Sequence, residues 1–235
     1  MSNGIKVKKR NGRGIEPLDL EKIHVMVEDA TQGLAGVSAS QVEIQSGIQF
    51  YDGITTAEIQ EILIKSASDL IDLDHPNYQF VAARLLLFSI RKSLYGRSRD
   101  MPLLEDHIVT CVNKEVYDAD IYSKYSKEDI EKANGYIDHN RDFLFTYAGL
   151  RQVVDKYLVQ DRSTNEVYET PQFMYMMIAL TIFAEYPKQT RLNYVRRYYD
   201  AISRHRINIP TPIMAGVRTP IRQFASCVLV DADDT

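Results

Sequence analysis

Cysteine, tryptophan, glycine and proline are scarce in this chain of 235 residues. It has two cysteines, Cys111 and Cys227, no tryptophan, 11 glycines and 8 prolines. Two cysteines cannot form a disulfide-dense scaffold or a four-cysteine zinc site, and this usage is typical of a reducing compartment. The low glycine and proline content excludes collagen-like and low-complexity chains. With 45% hydrophobic and 26% charged residues, the composition predicts one or two folded domains.

Long apolar runs are also missing. The longest, from Met174 to Ala184, is about half of the roughly 20 residues that span a bilayer. The amino terminus lacks the apolar stretch of a signal peptide. A formal net charge of −4 gives no general attraction to nucleic acid or anionic membranes. We therefore expect a cytoplasmic protein that has no membrane partner and binds no nucleic acid directly.

The first residues have the pattern of a β-hairpin. Ile5 and Val7 alternate with lysines, and Asn11-Gly12 suits a tight type I′ turn. The return strand, Ile15 to Leu18, contains Pro17 and should be an edge strand. A helix should follow, because apolar residues recur on one face at a 3.6-residue period: Ile23, Met26, Val27 and Ala30.

Two helix starts carry capping signals. Ser38 and Gln41 have the spacing of a capping box, and Thr55 and Glu58 repeat it. Each pairing can satisfy backbone N–H groups that a helix leaves without partners. The sequence therefore predicts helices from about residue 39 and from Thr56, followed by an apolar helix that ends near Gly96.

Further helices are predicted beyond a polar linker at residues 97–102. Their predicted spans are 103–116, 126–134, 141–157, 171–183 and 188–204, with a turn at 160–167. Three prolines between residues 209 and 220 predict a rigid loop without helix. The apolar run Cys227–Val230 resembles a buried strand, and the chain offers it no neighbouring strand. A buried strand without a partner loses several kcal/mol of backbone hydrogen bonding, so we expect its sheet to be completed from outside this chain.

The residue pattern alone leaves the chemistry open. A basic cluster on the hairpin suits phosphate, but without a Walker A or Gly-x-Gly-x-x-Gly motif a solvated basic face is the more ordinary interpretation. Cys227 is either a redox thiol or a small buried residue, whereas Cys111 lies on an apolar helix face and should be structural. The five histidines show no metal-ligand spacing, so no metal site is predicted.

Longer motifs resemble a known family. Val7-x-Lys9-Arg10-x-Gly12 and Phe50–Ile54 resemble the ATP cone of ribonucleotide reductases. Tyr168–Phe173 resembles the helical region that follows the cone, and Pro210–Pro220 and Arg222–Cys227 complete the resemblance. In order and along the whole chain, these segments are similar to the amino-terminal third of the large, catalytic subunit of class I ribonucleoside-diphosphate reductase.

The resemblance implies a mainly α fold in three parts. Residues 1–95 would form an ATP cone, a β-hairpin with four helices, that binds allosteric nucleotide. Residues 96–220 would form a helical domain, and residues 221–235 would begin an incomplete α/β barrel with its first strand. This would make the chain a component of the enzyme that reduces ribonucleotides to deoxyribonucleotides for DNA synthesis.

The resemblance also implies residue roles. Binding of ATP or dATP as effector would involve seven positions on the cone: Val7, Lys9, Arg10, Glu16, Lys22, Thr56 and Lys92. Thr211 and Ser226 correspond to substrate contacts, and Cys227 to one cysteine of the dithiol that reduces the ribose. Asp234 falls where the specificity site begins. No metal is expected in this chain, since the radical metallo-cofactor belongs to the small subunit.

Some positions depart from the family pattern. Asp19 replaces a frequent asparagine, and Gln60 stands where family members inhibited by dATP commonly have histidine. We therefore expect weak or absent inhibition by dATP. Residues 231–235 also diverge from the usual Gly-Asp-Ser-Leu continuation.

The family enzyme needs residues that this sequence does not contain, so the chain alone should be inactive. The expected partners are a separately made carboxy-terminal portion of the large subunit, the radical-bearing small subunit, a thioredoxin- or glutaredoxin-type reductant, and ribonucleoside diphosphates as substrates. A stand-alone regulatory ATP cone without catalysis is the alternative, although regulators of that kind carry zinc-binding cysteine pairs. A weaker alternative is a defective remnant.

Overall fold

A computed structural model of the chain describes residues 4–9, 14–227 and 229. Within them the fold is mainly helical and divides into two compact units. The first unit comprises residues up to Asp100 together with Phe143–Arg151, and the second comprises Met101–Asp142 and the residues from Gln152 onward. No helix in this described part of the chain combines the length and the apolar character needed to cross a membrane.

The first unit begins with the predicted hairpin. Strands β1 (Lys6–Lys8) and β2 (Ile15–Pro17) are antiparallel, with Val7 opposite Glu16. The predicted turn at Asn11-Gly12 lies outside the described residues. Beyond the hairpin, Lys8 N–H donates to the Ile54 carbonyl at 2.9 Å, which ties β1 to the loop that precedes a helix.

Four helices complete this part of the first unit, as predicted: α1 (Leu20–Thr31), α2 (Ala39–Gly47), α3 (Thr56–Asp69) and α4 (Tyr78–Tyr95). Thr55 and Glu58 form a complete capping box at the start of α3. Ser38 caps α2 only through its own side chain, which accepts from Gln41 N–H at 3.4 Å. Val27, Leu63 and Leu87 are fully buried where α1, α3 and α4 meet, so an apolar core holds the helices together.

The second unit is built around an apolar helix. Its elements are α5 (Leu104–Asn113), α6 (Ile121–Lys124), α7 (Lys127–Asn134), the end of α8 (Tyr147–Lys156), α9 (Pro171–Ile182), α10 (Arg191–Ser203) and α11 (Thr211–Gly216). Every residue of α9 from Pro171 to Leu180 is buried. A helix that is apolar on all sides belongs in the centre of a domain.

Two helix predictions were wrong. The helix expected over 141–157 is divided into a 3₁₀ helix, His139–Leu144, and α8. The loop expected over 209–220 contains α11, whose Pro212 occupies the first turn. A proline in the first turn removes an N–H that has no helical partner anyway, and its fixed φ suits the helix. Prolines therefore exclude the interior of a helix but not its start.

The predicted strand at Cys227–Val230 is only partly covered by the structure. Cys227 and Leu229 are described, and neither is in a strand. Val228 and Val230 lie outside the described residues, so the barrel strand stays a prediction.

Candidate functional site

The first unit contains a cavity of about 400 Å³ between the hairpin and its helices. Its lining comes from both strands, α1, the first turn of α3 and the end of α4. Volumes of about 300–1,000 Å³ are typical of small-molecule sites. The structure brings together five of the seven residues predicted for nucleotide binding: Val7, Lys9, Lys22, Thr56 and Lys92.

Three lysines from different elements line the cavity, together with the carboxylates of Asp19, Glu21 and Asp29. Lys9 follows β1, Lys22 lies in the first turn of α1, and Lys92 lies in the last turn of α4. Ammonium groups that converge in this way can bind phosphate oxygens through charge-assisted hydrogen bonds.

Two of these lysines already pair with carboxylates. Lys9 Nζ lies 2.7 Å from Glu16, and Lys22 Nζ lies 2.9 Å from Asp19. The side-chain hydrogen bond from Lys22 lowers the pKa of Asp19, and the same bond raises the pKa of Lys22. The Lys22 pair is exposed and the Lys9 pair is partly exposed, so each is weak, and a phosphate can take over either lysine at small cost.

The start of α3 also borders the cavity. The capping box uses the N–H of Glu58, which donates to Thr55 Oγ1 at 3.1 Å, and the N–H of Thr55, which donates to Glu58 Oε2 at 2.7 Å. Thr56, at the first helical position, lines the cavity. The amino terminus of a helix favours negative charge, because its N–H groups and its dipole both attract anions.

An apolar wall completes the cavity. It is formed by Val7, Ile23, Met26, Ile59 and Phe88. Buried Gln60 lies among them and donates through Nε2 to Met26 Sδ at 3.7 Å. A cavity lined by both cations and apolar side chains suits a nucleotide, because a base is flat and weakly polar and a triphosphate is strongly anionic.

The two remaining predicted residues differ in position. Glu16 does not line this cavity; its carboxylate pairs with Lys9, and it lines an adjacent, more open pocket. Arg10 lies outside the described residues.

Sequence reasoning assigned no binding role to several lining residues. Met26 and Asp29 follow Lys22 at helical spacing on α1, and Phe88 precedes Lys92 by one turn on α4. Residues at i and i+4 lie on one helix face. This spacing from Lys22 and Lys92 is the sequence signal that could have identified these lining residues.

The residues predicted for catalysis lie in the second unit. Thr211 is exposed at the start of α11, and its hydroxyl is 3.5 Å from that of Tyr157. Ser226 Oγ donates to Cys227 Sγ at 3.7 Å, and both residues are exposed. Among the described residues no hydrogen bond joins Thr211 to this pair. Asp234 lies outside the described residues.

A buried ion pair holds the segment that contains α11. Arg218 Nε donates to Glu169 Oε2 at 2.9 Å, and neither side chain has exposed surface. Glu169 also accepts from the Tyr117 hydroxyl at 2.5 Å. Burial opposes the charge of Arg218, but the carboxylate of Glu169 keeps the pKa of the guanidinium above its ordinary value. Arg218 also donates to the Tyr157 carbonyl at 2.9 Å, which fixes the residue that contacts Thr211.

Cys111 has the structural environment that was predicted. It is buried beside His107, with Sγ 3.7 Å from Nε2. Burial raises the pKa of the Cys111 thiol to about 12 and lowers the pKa of His107 to about 3. Both groups are therefore neutral near pH 7, and a protonated thiol is a poor nucleophile. In the described parts of the chain, no group of His, Cys, Asp and Glu side chains has the arrangement of a metal site.

Two family descriptions match the chain. Residues 5–93 match the ATP cone domain, and residues 143–222 match the all-alpha domain of ribonucleotide reductase. The first match contains the whole lysine-lined cavity apart from Ser98. The second contains Glu169, Thr211 and Arg218.

Whole-chain relatives agree with these matches. The chain is 50% identical over its full length to the ribonucleoside-diphosphate reductase subunit alpha of Haemophilus influenzae and 48% identical to ribonucleoside-diphosphate reductase 1 subunit alpha of Escherichia coli. The corresponding subunit of enterobacteria phage T4 is 44% identical over 94% of the chain. The chain spans 31% of the length of the two bacterial relatives and 29% of the phage protein. It therefore belongs to the ribonucleotide reductase alpha-subunit family, whose amino-terminal region it matches.

Proposed function

We propose that the cavity of the first unit binds ATP or dATP as an allosteric effector of ribonucleotide reduction. The observation that carries the proposal is that Lys9, Lys22 and Lys92 line one cavity together with the start of α3 and an apolar wall. The triphosphate would lie against the lysines and Thr56, and the base against Ile59 and Phe88. Residues 5–93, which hold nearly all of this lining, match the ATP cone domain.

Calorimetric titration of the chain with ATP tests the proposal. The wild type should bind, and Lys22→Gln and Lys92→Gln should each weaken binding by about tenfold, since a hydrogen bond to a charged group contributes about 1.5–3 kcal/mol. Lys65→Gln is the matched control, because Lys65 is exposed on α3 and does not line the cavity. Unchanged affinity in both cavity variants would refute the assignment.

Gln60 is the basis of a second proposal for this site: dATP should inhibit the enzyme weakly or not at all. Its amide is buried in the cavity wall and donates to Met26 Sδ. The assay is the activity of the assembled enzyme against increasing dATP. Full inhibition of the wild-type enzyme at micromolar dATP would contradict this proposal. In that case Gln60→His would increase the inhibition no further.

For the second unit we propose a part in catalysis. Thr211 and Ser226 would contact the ribonucleoside diphosphate, and Cys227 would supply one thiol of the pair that reduces the ribose 2′ carbon. In that step the two thiols give up two electrons and two protons and become a disulfide, the 2′ hydroxyl leaves as water, and an external dithiol later restores the pair. The exposed position of Cys227 is compatible with this exchange.

This activity needs the remaining portion of the alpha subunit, the small subunit with its radical cofactor, and a thioredoxin- or glutaredoxin-type reductant. Reconstitution with those components should give turnover, which Cys227→Ser should abolish while ATP binding persists. Cys111→Ser is the control, because the buried Cys111 thiol is outside the proposed chemistry. If Cys227→Ser kept normal turnover, the assignment would be wrong. If a reconstituted wild type bound ATP and had no turnover, the regulatory alternative would be favoured.

A further inference from the structure

Phe143 packs on α4 of the first unit although it lies far along the chain. Its ring meets the Phe88 ring edge to face, with centroids 6.2 Å apart and an interplanar angle of 89°. The guanidinium groups of Arg84 and Arg91 lie 5.2 and 5.7 Å from the centre of the same ring. Edge-to-face and cation–π contacts both stabilise such an arrangement. Three residues of α4 therefore hold one aromatic ring.

Two of those α4 residues are also connected to the nucleotide cavity. Phe88 lines it directly. Arg84 donates to the carbonyls of Ala30 and Gln32, at 3.1 and 2.7 Å, at the end of α1. Helix α1 carries Lys22, which lines the cavity on another side. Phe143 thus contacts Phe88, which lines the cavity, and Arg84, which is hydrogen-bonded to the end of α1.

Phe143 begins the segment 143–151, which belongs to the first unit while the residues before and after it belong to the second. We propose that Phe143 is a positioning residue through which occupancy of the cavity by nucleotide changes the packing of residues 143–151. This proposal rests on the proposed function and adds its regulation. A ligand that contacts Phe88 alters the ring against which Phe143 packs. If the Phe143 contact differs in energy between the free and occupied states, a substitution of Phe143 should alter the affinity for nucleotide, although Phe143 does not line the cavity.

A tryptophan reporter provides the direct test. Because the chain has no tryptophan, Phe143→Trp makes residue 143 the only source of indole emission. Saturating ATP should shift the emission of this variant. Phe50→Trp is the control, since Phe50 lies in the same unit and outside the cavity lining, and its emission should stay unchanged. Unchanged emission at residue 143, or equal shifts in both variants, would overturn the proposal.

Nucleotide affinity gives an independent measurement. Phe143→Ala should change the ATP dissociation constant of the chain by about fivefold or more, the lower end of usual coupling. Leu144→Ala is the matched control, because Leu144 is the neighbouring residue and is 52% exposed. Equal dissociation constants in the wild type and Phe143→Ala would contradict the proposal. If Phe143→Ala does not fold, the ATP dissociation constant of Phe143→Leu and the emission of Phe143→Trp test the proposal instead.

The two proposals fail in different ways. A wild-type chain that does not bind ATP refutes the proposed function itself. A wild-type chain that binds ATP, with no response at residue 143 and no effect of its substitution, refutes only the role of Phe143.

Discussion

Arg218 and Glu169 show what a single residue contributes to the second unit. The guanidinium donates to the carboxylate, to the Met214 carbonyl at 2.6 Å and to the Tyr157 carbonyl at 2.9 Å. The two side chains are 49 residues apart in sequence. The pattern around either residue gives no sign of the other, because pairing of this kind depends on how the helices pack. A motif can single out Arg218, but only the fold identifies its partner.

Replacement of Arg218 by alanine should strongly destabilise the second unit. The substitution leaves the Glu169 carboxylate buried without its cation, and loss of one member of a buried pair costs about 3–5 kcal/mol. Urea unfolding measures the loss. Glu185→Ala is the control, because it removes the exposed pair between Lys124 and Glu185 and should leave the free energy of unfolding nearly unchanged. A similar small effect from both variants would contradict the prediction.

His24 should make the stability of the first unit depend on pH. Its Nδ1 lies 2.8 Å from Glu43 and its Nε2 lies 3.3 Å from Glu28. The hydrogen bond to Glu43, and then the charge of Glu28, raise the pKa of His24. Since the folded-state pKa is above the unfolded value of about 6.5, the stabilisation is complete below that value and is lost as pH rises through the folded pKa.

His24→Gln should therefore reduce the difference in melting temperature between pH 6 and pH 8. An NMR titration of the imidazole provides the direct value. A midpoint at or below about 6.5 in the folded chain would contradict the assignment.

At the scale of elements, short-range signals predicted most of the secondary structure. The hairpin alternation and the Thr55 cap each act within a few residues, and the structure has an element boundary at each. The secondary-structure prediction was wrong where a local rule was applied too broadly, as with the prolines around α11.

The cavity could not be predicted from local patterns. Its lysines were assigned through the family resemblance, because no local pattern shows that three distant elements share one space.

The capping box of α3 should matter for both stability and binding. Thr55→Ala removes the acceptor for Glu58 N–H and the hydroxyl that donates to Glu58 Oε2 at 2.7 Å. Loss of such a cap costs about 1 kcal/mol. Because Thr56 lines the cavity at the same helix end, affinity for ATP should fall as well.

Ser38→Ala at the start of α2 is the comparison. Its side chain makes a longer capping bond, 3.4 Å to Gln41 N–H, and neither Ser38 nor Gln41 lines the cavity. It should lower the free energy of unfolding and leave ATP affinity unchanged. The interpretation would be wrong if Thr55→Ala and Ser38→Ala had equal effects on ATP binding.

At the scale of the whole molecule, the proposed roles lie in different units. The nucleotide cavity lies in the first unit, and Thr211, Ser226 and Cys227 lie in the second. Among the described residues, those of the first unit that come from beyond residue 100 form the segment 143–151. The proposed nucleotide binding can therefore be tested without the proposed chemistry.

Thermal unfolding of the complete chain should show this separation. A ligand that binds only the folded state stabilises it by RT ln(1 + [L]/Kd), which is about 2.7 kcal/mol at a hundredfold excess over Kd. ATP should therefore raise the transition that reports on the first unit more than the transition that reports on the second. Thr55→Ala and Arg218→Ala assign the two transitions, because each destabilises one unit. If ATP raised only the transition lowered by Arg218→Ala, the nucleotide would bind in the second unit, and the cavity between the hairpin and α4 would not be its site.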